Sequence, residues 1–306
     1  MKSAHHRLDI SRMGFSRTAD VVARTIISVV AWVAIVILAG IAAFLIQNSL
    51  KALQELGLWH MVAGSDWFPT SANASFGFLP AEVGSIWVTA IALMLCVPFG
   101  ILAAIYLSEF ANSRVKEVGK TIIEFMAAVP SVVFGLIGMT LLVPLIARIF
   151  DLSSGLTGFT AGLCVGIVCL PTIISISEDA MHAVPDELRQ GALALGNNRW
   201  QMAYKVIVPA ASSGIFAAVM LGLGRAIGET MVVLMVAGNA GIIPTSPFLA
   251  ARTMTATIAQ ETGEVVRGGL HFSVLFVMGL VLFTITFLIN LVADSVLERQ
   301  RRRWRR

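Results

Sequence analysis

The sequence predicts an all-α integral membrane protein with six transmembrane helices and both chain ends on the cytoplasmic side. Three observations carry that expectation. Of the 306 residues 57% are hydrophobic and only 13% charged, and the mean hydropathy is +0.84, whereas soluble domains carry about 25% charged residues. Six apolar runs are each long enough to cross about 30 Å of hydrocarbon as a helix. Of the 22 lysines and arginines, 17 fall in segments that share one side, four in the alternate loops, and one, Arg225, inside a run. Basic residues collect on the cytoplasmic face, which sets the orientation as N-in and C-in.

A basic N-terminal arm, residues 1–24, precedes the first run at 25–47. This run is longer than a signal-peptide core and no clear small-residue cleavage site follows it, so it is expected to stay as a span. Residues 48–83 form an expected periplasmic segment, and a membrane core follows over 84–294. The second, third and fourth runs are 84–107, 121–147 and 159–178, and they contain Pro98, Pro130, Pro144 and Pro171. Proline in a membrane helix is tolerated where neighbours satisfy the freed carbonyl; its kinks either simply bend these helices or shape a cavity, and both readings stand. In GFTAGLCVG, Gly158, Gly162 and Gly166 recur every four residues, a register that lets helix backbones approach closely, within the bundle or against a partner. Cys96, Cys164 and Cys169 lie inside apolar runs without metal-ligand spacing. They read as small buried residues, with neither a disulfide framework nor a metal site expected.

Runs five and six are 210–237 and 271–293, and a basic tail, residues 295–306, ends in RQRRRWRR. On the inner face its arginines fix topology and meet anionic lipid headgroups, with Trp304 at the interface. No nucleic-acid-binding fold accompanies them, so the pI near 9.3 does not point to a nucleic-acid partner.

The inside segment 179–209 is longer than a connector needs to be. Pro185 followed by Asp186 and Glu187 reads as a helix start, the acids complementing the dipole. That helix should run through Leu195 and end at Gly196, a residue suited to the C′ position, with Asn197 and Asn198 continuing the turn. A second short helix, Trp200 to Val206, leads to Pro209 and the fifth run. Two short helices joined at a glycine make a compact knob, and a docking role is expected for it.

The fifth run contains GLGRAIGETMVVLM, Gly222 to Met235. Arg225 falls about 22 Å along it at 1.5 Å per residue, near the middle of the bilayer, where an arginine costs at least roughly 2.5 kcal/mol. In one continuous helix Glu229 lies a turn further on the same face, so the two charges could neutralise each other. Arginine before glutamate is the weaker ordering, however, and two leucines would serve stability better. The face is therefore expected to line a polar path, with the guanidinium fork holding an oxyanion and Glu229 and Thr230 beside it. A carboxylate there would accept the proton of a protonated oxyanion and disfavour one that has none. Gly224 and Gly228, in small-xxx-small register, serve either packing alone or the approach of a partner helix. Arg252, Thr253 and Thr255, between runs five and six, either dip into the outer mouth of the path or form a plain extracellular loop.

Enzyme chemistry finds no support. The tripeptide GKT, Gly119 to Thr121, would need a glycine five residues earlier to form a phosphate loop, and that residue is Arg114. GxSxG and HExxH are absent, and His5 and His6 lie in the N-terminal arm. The chain is expected to bind no cofactor of its own.

The loop spacing resembles the EAA loop of ABC importer permeases, which reads Glu-Ala-Ala, three residues, Gly, nine residues, then Ile-x-Leu-Pro. Here Gln190, Gly191 and Ala192 fill the first three places, so the signature glutamate and one alanine are replaced, while the distance from Gly196 to Pro209 is intact. The stretches Phe76–Phe110, AAVPSVVFGLIG (Ala127–Gly138), LPTIISISEDAMHAVP (Leu170–Pro185), RAIGETMVVLMVAGN (Arg225–Asn239) and RTMTATIA (Arg252–Ala259) look like the permeases of phosphate ABC importers. GETMVVLMVAGN is similar to the C-type (PstC-type) subunit more than to the paired A-type. The likeness covers residues 64–294. It implies the type I ABC permease fold and import of inorganic phosphate across the inner membrane by alternating access. It also implies a homologous A-type permease subunit, two ATPase subunits that use ATP and Mg, and an extracytoplasmic phosphate-binding protein. The loop carrying Glu187, Gln190, Ala192, Gly196 and Pro209 would sit in a groove of the ATPase. Sulfate or phosphonate as substrate, or the A-type role, remain as alternatives. A passive anion channel would have no use for the docking loop.

Overall fold

The computed structural model describes residues 17–304, and the chain divides into two compact units, residues 1–47 and 48–306. The basic positions Lys2, Arg7 and Arg12 of the N-terminal arm, with His5 and His6, lie outside the described residues, as do Arg305 and Arg306. Most of α1 (Arg17–Glu55) belongs to the first unit. It is one unbroken helix that begins before the expected span and ends after it.

In the second unit the last turn of α1 is tied to the chain near residue 270. Ser273 Oγ accepts from the Ala52 amide (3.2 Å) and donates to the Asn48 carbonyl, and Lys51 Nζ donates to the Gly268 carbonyl (3.0 Å). A short helix, α2 (Leu58–Ala63), and a hairpin of two-residue antiparallel strands, β1 (Trp67–Phe68) and β2 (Ser75–Phe76), follow. The hairpin is a departure from the all-helical expectation. It closes because Gly64 and Gly77 cross in contact: a Cβ on Gly64 would stand 2.6 Å from the Gly77 Cα.

The second apolar run forms α3 (Leu79–Ile105), prolonged by a π-helical turn over Tyr106–Phe110. The third expected span, 121–147, is corrected. Its beginning belongs to α4 (Ser113–Ala128), an amphipathic helix whose N-terminus is capped by Asn112 accepting from the Val115 amide (2.9 Å). Val129 then turns extended, as a residue before proline prefers, and Pro130 opens a new helix. That helix is α5 (Ser131–Ile137), a π turn (Gly138–Leu142) and α6 (Val143–Ile149), together a membrane-length stretch from Ser131 to Ile149. Pro130 is thus a break and Pro144 a first-turn residue of α6, whereas Pro98 and Pro171 lie inside α3 and α7 (Gly158–His182).

The knob is built from α8 (Asp186–Ala194) and α9 (Arg199–Met202), then a π turn (Ala203–Ile207) and α10 (Val208–Ala210). A bend of 73° leads into α11 (Ser212–Gly228). The fifth run is also not continuous: α11 ends at Gly228, and α12 (Met231–Val236) starts afresh. After α13 (Met254–Glu261), α14 (Leu270–Trp304) passes through the expected sixth span and into the tail without interruption. Among the described residues five helices are long and apolar enough to cross a membrane, and the bent pair Arg199–Ala210 and Ser212–Gly228 makes a sixth if taken as one span.

The core forms where α3, α7 and α11 meet. A Cβ on Gly162 would lie 2.6 Å from Ile91 Cβ and one on Gly166 3.1 Å from the Ala92 carbonyl, so these glycines seat α7 directly on α3. Ile173 fills the notch left by Gly100 on α3 and Gly222 on α11, each of whose absent Cβ would fall 2.7 Å from it. Cys96, Cys164 and Cys169 are free thiols buried in this core.

Candidate functional site

The break between α11 and α12 positions the site. Arg225 is in the last turn of α11 and partly buried, and its Nη1 donates to the Thr172 hydroxyl at 3.2 Å. Thr172 lies near the middle of α7, so the guanidinium is held beside the middle of that helix, while Arg225 itself is about 20 Å along α11 at 1.5 Å per residue. Among the described residues no carboxylate pairs with it.

The expected Arg225–Glu229 pair on one helix face does not form, because the helix ends first. Glu229 has extended backbone (ψ 127°). Its Oε1 accepts from the amides of Thr230 (3.2 Å) and Val232 (3.3 Å) at the start of α12. A broken membrane helix must satisfy the carbonyls it frees. Here hydroxyls do so: Thr230 Oγ1 donates to the Gly228 carbonyl (3.1 Å) and Thr255 Oγ1 to the Glu229 carbonyl (2.9 Å). Thr255 is also 3.2 Å from Thr253 Oγ1, which caps α13 by accepting from the Ala256 amide. Four of the residues singled out in the sequence therefore meet at the break, Glu229, Thr230, Thr253 and Thr255, and Arg225 lies one turn before it with its guanidinium on Thr172.

Arg252 stands apart from them. Its Nη1 donates to Glu261 Oε1 at 2.6 Å and its Nε to the Asn239 carbonyl at 3.1 Å. Glu261 also binds the Trp67 indole (3.0 Å) and His271 Nε2 (2.8 Å). This group lines a cavity of about 680 Å³ between the hairpin, α13 and α14. The segment is no free loop. A Cβ on Gly84 would strike the Arg252 carbonyl at 2.0 Å, and Ala251 is fully buried against the Gly238 bridge. Of the small residues, Gly158, Gly162 and Gly166 face neighbours within this chain, whereas a Cβ on Gly224 or Gly228 would meet nothing within 4 Å.

In the knob, Gly196 has φ +85° and ends α8, as the loop pattern requires. Asn198 does more than continue the turn: with Gln201 it forms a capping box that starts α9. Ala192 is buried, while Glu187, Gln190 and Pro209 are surface positions. Leu188, Leu193, Leu195 and Trp200 are exposed apolar side chains, Leu195 to 85%.

The sequence reading did not single out the ionic ties beneath the knob. Arg189 holds Glu109 through two bonds (3.0 and 3.2 Å). Glu178, 1% exposed, sits between Lys116 (2.8 Å) and Lys120 (2.7 Å). Glu178 and Asp179 hold the Lys120 ammonium above the usual lysine range. A carboxylate closing an apolar run was the available signal for Glu178. For Thr172 there was none, since a hydroxyl in a membrane helix is ordinary.

The family model described as binding-protein-dependent transport system inner membrane component matches residues 96–306. The probable ABC transporter permease protein YqgH of Bacillus subtilis is 38% identical over 301 residues, which are 98% of this chain and 97% of that protein. The phosphate transport system permease protein PstC of Mesorhizobium japonicum is 37% identical over 284 residues, 87% of this chain and 86% of that protein. Among solved structures, a bacterial alginate ABC transporter in complex with an alginate pentasaccharide-bound periplasmic protein contains a similar chain. It has a TM-score of 0.63 at 14% identity, over 91% of this chain and 94% of that one. At that identity the likeness shows the fold alone.

Proposed function

Because the chain belongs to the binding-protein-dependent transport system inner membrane components, and is thus an ABC importer permease subunit, we propose that it is the C-type subunit of an importer of inorganic phosphate. One observation carries the substrate reading. Arg225, in the last turn of α11 and beside the middle of α7, gives its hydrogen bond to a neutral hydroxyl, and among the described residues no carboxylate pairs with it. An uncompensated arginine in hydrocarbon is costly, and a dehydrated tetrahedral anion that takes two N–H groups of the fork offsets the cost. The PstC relatives agree in substrate class.

In this reading both chain ends and the knob face the cytoplasm, and the exposed leucines of the knob enter a groove on one of two ATPase subunits. ATP and Mg are used there, not on this chain. A homologous A-type permease subunit approaches the open face at Gly224 and Gly228. An extracytoplasmic phosphate-binding protein delivers the anion at the opposite end, where the 680 Å³ cavity opens. Closure of the ATPases rocks the bundle, and the anion passes Arg225 by alternating access.

The test is uptake of radiolabelled phosphate and sulfate by a strain lacking this subunit, complemented with the wild type or with Arg225→Ala. Loss of a buried charge-assisted contact should lower phosphate uptake at least about thirtyfold. Wild-type uptake by Arg225→Ala would refute the site. ATP-dependent uptake of sulfate in place of phosphate would change the substrate and leave the family membership intact.

A further inference from the structure

We propose that Arg189 is the positioning residue through which movement of the knob reaches the membrane core. The inference rests on the ABC importer reading but not on which anion is carried. A guanidinium has five N–H donors, and all five of Arg189 are engaged. Nε and Nη2 hold Glu109 bidentately (3.2 and 3.0 Å). Nη2 also donates to the Met181 carbonyl (2.8 Å), and Nη1 donates to the Val184 carbonyl (2.5 Å) and to Asp186 (3.1 Å). One rigid planar group thus fastens three elements: the π turn that ends α3, the last turn of α7, and the first turn of α8.

The pair is partly buried, with side-chain exposures of 16% for Arg189 and 3% for Glu109. Stability alone does not call for it, since buried ion pairs are often replaceable by apolar residues at no loss. Its placement points to transmission. Glu109 lies in a π turn (Tyr106–Phe110), and a second π turn (Ala203–Ile207) lies on the knob's other exit. Such turns are wide, irregular and frequent at functional sites. Phe110 in the first turn contacts Trp200 on α9, with ring centroids 6.1 Å apart. From α9 the chain runs through the second π turn and the 73° bend into α11, which carries Arg225. A push on the knob therefore moves α3 and α7 through Arg189 and α11 through the chain itself. Lysine cannot reproduce the fork. Without it the knob would follow the ATPase while α3 and α7 lag behind.

The experiment uses the complete importer in proteoliposomes with Arg189→Lys or Glu109→Gln in this subunit. ATP hydrolysis and phosphate uptake are measured together. In parallel, a cysteine introduced at Ile242, exposed in the lining of the outer cavity, is labelled with a membrane-impermeant maleimide, with and without ATP and Mg. The three native cysteines are buried and should stay unlabelled. Basal hydrolysis should stay within about twofold, while uptake per ATP falls roughly three- to thirtyfold and the ATP-dependent change in labelling is lost. An unchanged uptake-to-hydrolysis ratio with normal labelling changes would overturn the proposal, whether the two rates hold steady or fall together. Failure of both variants to assemble would also overturn it, by making the pair an assembly element. If the wild type takes up no phosphate, the substrate reading fails, and the labelling still decides the role of Arg189.

Discussion

Glu229 caps a helix, and in the proposed reading its charge also selects against sulfate. Its Oε1 caps the start of α12, and its charge sits one residue past the helix that carries Arg225. Glu229→Gln keeps an oxygen to accept those amides and removes the charge. The variant should therefore fold with a change of less than about 1 kcal/mol, read as the melting temperature in detergent. Sulfate should compete better against radiolabelled phosphate, because nothing remains to repel an anion that brings no proton. Unchanged competition would leave the carboxylate a cap only. Thr255→Val tests the other side of the break. It strips the donor from the Glu229 carbonyl and should cost about 1–3 kcal/mol, with a matching fall in melting temperature.

Helix pairs show why glycines in the same register behave differently. Gly162 is in contact with Ile91 and the Val88 carbonyl, so Gly162→Leu forces α7 off α3 and should destabilise by about 1–3 kcal/mol. Gly224→Ala meets nothing within this chain and should leave the melting temperature of the isolated subunit unchanged. If the A-type subunit packs there, co-purification of the two permeases should drop, and an unaffected yield would place that contact elsewhere. Spacing alone could not separate these cases. A four-residue repeat says that a close approach is possible, and only the neighbouring helix says whether it happens.

Across the whole molecule, the apolar side chains on the knob are separated from the core that holds it. Leu195 is 85% exposed, so Leu195→Lys should leave the subunit's melting temperature alone while reducing the ATPase that co-purifies with it. Equal recovery of ATPase would remove Leu195 from the interface. Arg189, a few residues away and wholly engaged, belongs to the opposite class, and its substitution should spare docking and affect coupling.

Much of this was legible in the residues. Apolar runs, proline and glycine positions and the knob with its Gly196 terminus follow from local rules, because desolvating a backbone and turning a chain depend on neighbours in sequence. Where the third and fifth runs break was not legible. Val129–Pro130 and Gly228–Glu229 are signals that a continuous helix also tolerates, provided something satisfies the freed carbonyls. At the second break one donor is local, Thr230 for Gly228, and the other comes from far along the chain, Thr255 for Glu229. The same holds for the partner of Arg225, which is Thr172 on α7 rather than a carboxylate one turn away. Composition and periodicity determine that a charge lies in the membrane. Which groups reach it is decided by the packing of α7, α11 and α13, since electrostatics act through space and not along the sequence.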